Sequence, residues 1–186
     1  HTASASFATK VDTILTIGGV SDTFTSTTLA EPIDTTPDAF SFTDQTDVAL
    51  ASTVTSNEIT VSGINTAAEI SVTGGKYSVN GGEYTGTAGT VNNGDKVKVQ
   101  QTASVSFATK VDTVLTIGEV SDTFTSTILA EPIDTMPDAF SFTDQTDVAL
   151  ASTVTSNEIT VSGINTAAAI SVTGGKYSIN GGEYTG

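Results

Sequence analysis

The chain carries most of one sequence twice, at a fixed offset of 100 residues. Sliding the 186-residue chain by that offset places residues 1–86 on 101–186 without a gap, and only eight of the 86 pairs differ. They are His1/Gln101, Ala5/Val105, Ile14/Val114, Gly19/Glu119, Thr28/Ile128, Thr36/Met136, Glu69/Ala169 and Val79/Ile179. Several exchange one β-branched or apolar residue for another of similar size, which packed interiors tolerate. Solenoid and propeller repeats run at roughly 20–50 residues, too short for this period. An autonomous domain of about 100–150 residues fits it. The chain thus holds one full repeat plus 86 residues of further repeat material, beginning and ending in mid-repeat.

All four prolines, Pro32, Pro37, Pro132 and Pro137, fall in the decapeptides "EPIDTTPDAF" (31–40) and "EPIDTMPDAF" (131–140). Proline fixes φ, lacks an N–H and pushes the preceding residue toward extended backbone. Concentrated there, the prolines read as a short, stiffened, acidic linker; the alternative is a proline-bearing loop inside one domain. The linker reading predicts the closing part of a module at 1–34, a complete module at 35–134 and the opening part of the next at 135–186.

Between these segments Val, Ile, Thr, Phe and Tyr dominate, and apolar residues alternate in "EITVSGI" (58–64), "KVKVQ" (96–100), "AFSF" (39–42) and "EISVT" (69–73). Asn80-Gly81-Gly82 predicts a hairpin turn, because Asn and Gly tolerate positive φ. Asn93-Gly94 predicts another turn, and "VDTVLTIGEVSDTFTSTIL" (111–129) two strands joined near Gly118 and Glu119. "TAAEI" and "TDVALAS" are candidates for single helical turns. About seven to nine strands per 100 residues, with frequent turn signals, is the pattern of a β-sandwich. Its expected core is Phe40, Phe42, Ile59, Val61, Ile70, Val72, Val97, Val99, Val111, Leu115, Ile117 and Phe124.

There is no Cys, so each module must be held by its core alone, which about 100 residues allow. Six Lys+Arg against 21 Asp+Glu give a net charge of −15, which disfavours nucleic acid and anionic membrane as partners and favours cations. No apolar run approaches a membrane span.

The segments "YSVNGGEYT", "GTVNNGDKVKV" and "LTIG(G/E)VSDTFTST" resemble the tandem immunoglobulin-like or fibronectin-like repeats of very large bacterial surface and secreted proteins. The resemblance covers the whole chain. It implies an all-β fold of tandem Ig-like β-sandwich modules of about 100 residues, joined by short acidic Pro-containing linkers. It also implies a secreted or cell-surface parent chain far longer than this one, built as a stalk or fibre.

Little in the residues points to catalysis. His1 is the only histidine and has Gln101 in the equivalent place. No Gly-x-Ser-x-Gly elbow or phosphate-binding loop occurs, and the many Ser and Thr have no base to activate them. A non-enzyme is expected. One covalent possibility is a Lys–Asn cross-link, with Lys10/Lys110 or Lys76/Lys176 facing Asn57, Asn65 or Asn80; a solvated lysine at a strand end is the plainer reading. The junctions hold the one candidate constellation. Glu31, Asp34 and Asp38 lie within eight residues and recur as Glu131, Asp134 and Asp138, with Asp44/Asp47 and Asp144/Asp147 behind them. Ca²⁺ takes six to eight hard oxygen ligands, so a repeat-junction calcium site is a candidate, against an acidic solvated surface.

Three functions compete. The first is a structural extender in a bacterial surface adhesin or extracellular filament, whose partners are neighbouring repeats or copies of itself. Any host or surface ligand would then bind through regions outside this chain. The second is an adhesin module contacting glycans or surfaces through loops such as "NGGEYTGTAG" (80–89). The third, ice or mineral binding by "TFTST" (23–27), lacks the closely spaced T-x-T ladder that a flat binding face needs. The half-modules carry one further expectation. Residues 1–34 and 137–186 together lack only the equivalent of 87–100, "TAGTVNNGDKVKVQ", and each alone would leave an apolar face uncovered. Either the array is continuous, or separate chains add strands head to tail into an open filament. The absent "KVKV" strand favours the continuous array.

Overall fold

A computed structural model describes all residues 1–186. The chain is all-β, without a helix, and divides into two compact units, His1–Ala130 and Glu131–Gly186. Unit 1 contains every strand: β1 (Lys10–Ile17), β2 (Val20–Thr27), β3 (Gln45–Val48), β4 (Thr53–Thr55), β5 (Ile59–Thr60), β6 (Ala68–Thr73), β7 (Lys76–Val79), β8 (Gly89–Val91), β9 (Lys96–Thr102), β10 (Lys110–Ile117) and β11 (Val120–Ile128).

Strands β3–β11 build a two-layer sandwich. One sheet has the order β3-β11-β10-β6-β8, antiparallel except where β3 runs parallel to β11. In the other sheet β9 is central, with β4 and β5 along one edge and β7 along the opposite edge. The turn at Asn93-Gly94 forms, yet β8 pairs with β6 and β9 with the second sheet, so this turn carries the chain between layers. Asn80 takes φ +51° and Gly81 +74° in the turn after β7, the positive values the Asn-Gly pair was read for.

Three local readings are corrected. "AFSF" is not a strand but a strap, in which the Phe42 N–H donates to Asp122 (2.6 Å) and the Thr43 N–H to Asn57 (2.7 Å). Side-chain acceptors replace the ladder there. "EITVSGI" pairs only over Ile59–Thr60, because the Val61 N–H turns to the Asp95 carbonyl. Neither "TAAEI" nor "TDVALAS" is helical: the first enters β6, and the second is β3 followed by a turn.

Of the expected core, Ile59, Val61, Ile70, Val97, Val99, Leu115, Ile117 and Phe124 are buried. Phe40, Phe42, Val72 and Val111 are partly covered and pack against it. Val54, Ile64, Ala68, Tyr77, Val91, Ala103 and Ile128 complete the interior. One polar residue joins the layers. Gln101, on β9, is buried and donates through Nε2 to Ser126 Oγ (2.7 Å) and to the Val111 carbonyl (2.9 Å), while Oε1 accepts from Thr113 (2.5 Å). Thr113 and Ser126, on β10 and β11, are fully buried. Every buried side-chain polar atom has a partner.

The duplicated sequence allows a direct comparison. Hairpin β1–β2 has the register of β10–β11, pair for pair, from Lys10↔Thr27 to Ile17↔Val20 against Lys110↔Thr127 to Ile117↔Val120. No third strand joins it. Leu15, Ile17 and Phe24 are 64, 71 and 66% exposed, whereas Leu115, Ile117 and Phe124 are 0%. Unit 2 is the converse case. It has the sequence of the strap and β3–β7 but no strand, only a bridge between Tyr177 and Thr185, and Phe140, Phe142, Val154, Val161 and Ile170 stand exposed.

Gln101→Ala would leave the Thr113 hydroxyl and the Ser126 hydroxyl with fewer partners in a dry interior. It is expected to destabilise the sandwich by about 2–3 kcal/mol. Replacing all three partners at once, as Gln101→Leu with Thr113→Val and Ser126→Ala, should recover most of that loss. Urea unfolding followed by tyrosine near-UV circular dichroism measures both; a neutral Gln101→Ala would refute the clasp.

Candidate functional site

The acidic decapeptide is held by the residues that follow it. Asn65 clasps it: Nδ2 donates to the Pro32 carbonyl (2.9 Å), and Oδ1 accepts the Asp34 N–H (2.8 Å). The Asp34 carbonyl accepts in return from the N–H groups of Asn65 (3.1 Å) and Thr66 (3.2 Å). Pro37 is buried, and a Cβ on Gly118 (φ +56°) would lie 2.5 Å from the Thr35 carbonyl oxygen, so the β10–β11 turn closes on the strap only because it carries glycine.

The junction aspartates accept hydrogen bonds from backbone and side-chain donors. Asp34 accepts the Thr36 N–H (3.0 Å), Asp38 the Ser62 hydroxyl (2.8 Å), and Asp44 the Thr125 N–H (2.8 Å). Glu31 is exposed. In unit 2, Asp134 and Asp138 repeat the bonds, to Met136 (2.9 Å) and Ser162 (2.9 Å), Asn165 repeats the clasp, and Glu131 is exposed. Nowhere do three acidic or histidine side chains meet to hold a metal ion. The strap bonds made within 31–66 recur in unit 2 without a completed sandwich, whereas those of Phe42 to Asp122 and of Asp44 to Thr125 do not.

Two shallow grooves mark the sandwich. One, of about 200 Å³, is lined by Glu58, Ser78, Gly81, Gly82, Tyr84, Lys96 and Lys98. Lys96 and Lys98 bracket Glu58 at 3.1 and 3.5 Å, and the hydrogen bond from Lys96 chiefly holds that carboxyl below its usual range. The other, of about 390 Å³, runs past Glu69, Ser71, Gly89, Thr90 and Thr116. A ligand-sized pocket is commonly 300–1,000 Å³, enclosed and largely apolar, and neither groove has that character.

The cross-link candidates do not meet. Lys10, Lys76, Lys110 and Lys176 are exposed, while the amide nitrogens of Asn57 and Asn65 donate to backbone carbonyls and that of Asn80 to Asp95. Asn80 instead joins two turns: it accepts the Lys96 N–H (2.9 Å) and donates to Asp95 (2.8 Å), whose other oxygen accepts the Asn92 N–H (2.8 Å). Sequence reasoning missed Gln101 and named Asn65 only as a cross-link partner, not as the clasp on the decapeptide. For Gln101 the signal was present, since the alternation that turns Val97 and Val99 inward also turns residue 101 inward.

No protein-family model matches the chain, and no curated protein matches it. Among solved structures it is similar to domains 4 and 5 of the S-layer protein SbsC, at 14% identity and a TM-score of 0.38. The match covers 66% of this chain and 59% of that one.

The backbone N–H of Asn92, then the Asn80 amide, hold the Asp95 carboxyl below its ordinary range. A depressed folded-state pKa contributes stability above the unfolded carboxylate range, and that stability is lost as pH falls through the folded value. Asp95→Ala is therefore expected to cost about 1 kcal/mol at pH 7, discounted for its exposure, and progressively less below about pH 4. Urea midpoints at neutral and acid pH measure this; an equal deficit at both would refute it.

Proposed function

We propose that the chain is a structural extender, a repeat segment of an extracellular stalk or fibre on a bacterial surface, made of Ig-like sandwich modules. The observation that carries this reading is the near-identity of the two copies, which extends to residues at the surface. A binding module diverges where it touches its ligand, whereas a spacer has only to fold and be copied. Supporting it, the polar groups of the sandwich interior are satisfied and the junction aspartates are engaged by backbone and side-chain donors, so the fold spends its polar chemistry on holding itself together. On this reading the protein is not an enzyme. Its partners are neighbouring repeats or copies of itself, with no nucleic acid and no membrane insertion; no helix of the chain is long and apolar enough to cross a membrane.

Tandem arrays of increasing repeat number test the extender role. Their maximum dimension in small-angle scattering should grow linearly, by about 30 Å or more per repeat, the length of a nine-residue strand. Arrays that stay compact as repeats are added would refute it.

The adhesin reading keeps one specific support. The groove edged by Glu58, Lys96, Lys98 and Tyr84 lies at the 80–89 loop and pairs an aromatic ring with charged hydrogen-bonding groups, the chemistry that suits a sugar. Binding on a glycan array that is abolished by Tyr84→Ala would favour it over a pure spacer.

Calcium at the junctions, drawn from Glu31, Asp34, Asp38, Glu131, Asp134 and Asp138, is proposed in a narrower form. It would use carboxylate oxygens left over from the caps, together with backbone carbonyls and water. Binding to the folded form alone would raise the melting temperature with Ca²⁺, and Asp34→Asn with Asp134→Asn would weaken the rise. Superimposable melting curves in chelator and in millimolar Ca²⁺ would refute this site.

A further inference from the structure

We infer that the outer face of strands β7 and β9 is a lateral docking surface for the acidic segment 31–47 of a second copy of this chain. The purpose of such a contact rests on the fibre reading above. The length of covalent arrays tests that reading and salt-dependent association tests this one, so either can fail alone.

Charge is distributed unevenly along each repeat. Residues 11–75 hold nine acidic side chains and no lysine or arginine, and so do residues 111–175. Between them, 76–110 carry Lys76, Lys96, Lys98 and Lys110 against Glu83 and Asp95. The fold gathers three of these lysines on one surface. Alternation turns Val97 and Val99 of β9 into the core and Lys96 and Lys98 outward, and β7 sets Lys76 opposite Gln100 on the same outer face.

Within that face Glu58 alone answers Lys96 (3.1 Å) and Lys98 (3.5 Å), which leaves positive charge in excess. Lysine on an edge strand commonly keeps that edge from pairing, and this accounts for Lys76 on β7. It does not account for Lys96 and Lys98, because β9 is the central strand of its sheet. None of the eight differences between the copies alters a lysine or an acid of the 31–47 segment.

Charge complementarity selects the occupant. In the sandwich Glu31, Asp34, Asp38, Asp44 and Asp47 are all exposed, and the bonds of Asp34, Asp38 and Asp44 each engage one carboxylate oxygen and leave the other free. The segment bonds to Asn57 and Ser62, on either side of β5, so it runs along the β5 side of the second sheet, whereas β7 is the opposite edge. Cationic and anionic surfaces thus lie at different places on one module, and a contact between copies does not close on itself but runs on sideways. Two chains of net charge −15 repel at long range. At about 0.15 M salt, however, charges more than about 8 Å apart are largely screened, and pairs brought into contact much less so.

The test uses the 186-residue protein. Its weight-average mass in sedimentation should rise with concentration at about 0.15 M salt and fall back to the monomer's at about 1 M, where the screening length is about 3 Å. Lys76→Gln with Lys96→Gln and Lys98→Gln should weaken association about tenfold or more, from the loss of three exposed ion pairs. Lys76→Arg with Lys96→Arg and Lys98→Arg should retain it, and unchanged tyrosine circular dichroism verifies the fold of both variants. A zero-length carbodiimide, which joins amines to carboxylates in contact, locates the partner. Lys96 and Glu58 should link within a chain. In a mixture of isotope-labelled and unlabelled protein, Lys76, Lys96 or Lys98 should link between chains to acids of 31–47 or of the matching 131–147. A protein that stays monomeric at every concentration would overturn the inference, as would association indifferent to the glutamine variant or cross-links confined to single chains. So would a monomeric chain that binds a soluble polyuronate through the same three lysines, which would assign the face to an anionic polysaccharide instead.

Discussion

The seating of the β10–β11 hairpin between β6 and β3 is the interaction on which the sandwich depends. It puts Leu115, Ile117 and Phe124 at zero exposure and supplies the two middle strands of a five-stranded sheet. Each such side chain contributes roughly 1.5–3 kcal/mol on burial, before entropy is counted. The first copy of the same sequence shows what remains without that seat. The hairpin keeps its register because the turn and the cross-strand pairs are local, while its apolar face stays in water. Pairing within the hairpin is a short-range property; burial requires residues some 40 to 80 positions upstream.

Polar groups divide along the same line. Around the rim, Asp34, Asp38, Asn57, Asn65 and Asp95 accept from nearby backbone or side-chain donors, and the bonds of the first four recur in unit 2 without a finished sandwich. Gln101 works the other way. Its amide, on β9, bonds Thr113, Ser126 and the Val111 carbonyl on β10 and β11, and so ties one layer to the other. A satisfied polar group in a dry interior strongly disfavours alternatives that leave it unpaired. The clasp therefore fixes which face of the hairpin meets β9, a choice that apolar contacts alone would leave loosely specified.

How much of this was legible follows from the range of each interaction. Alternation located β6, β9, β10 and β11, and the Asn-Gly turns, because these depend on a few adjacent residues. It failed at "AFSF", whose alternating phenylalanines do pack on the core while the backbone bonds to Asp122 and Asn57 instead of a neighbouring strand. Alternation reports where side chains point and says nothing of where the N–H groups go. The junction acids were read as a cluster because they are close in sequence. In the fold Asp34, Asp38 and Asp44 each find a different donor, and Glu31 stays exposed.

Near-identical neighbours raise a problem of mispairing, since β1–β2 could take the seat of β10–β11 in the same chain. Two features favour the correct hairpin. Residues 103–109 tie β10 directly to β9, so its effective concentration at the seat exceeds that of a hairpin 17 residues before β3 begins, Thr28 to Asp44. The second is a sequence difference. Ile128 is buried beside Val48, and placing Thr28 there would forfeit an apolar contact and bring a hydroxyl to a dry position. The combined penalty is about 1–2 kcal/mol, or roughly tenfold in occupancy. That margin is small beside the cost of leaving the seat empty. In the sandwich the tethered hairpin therefore wins.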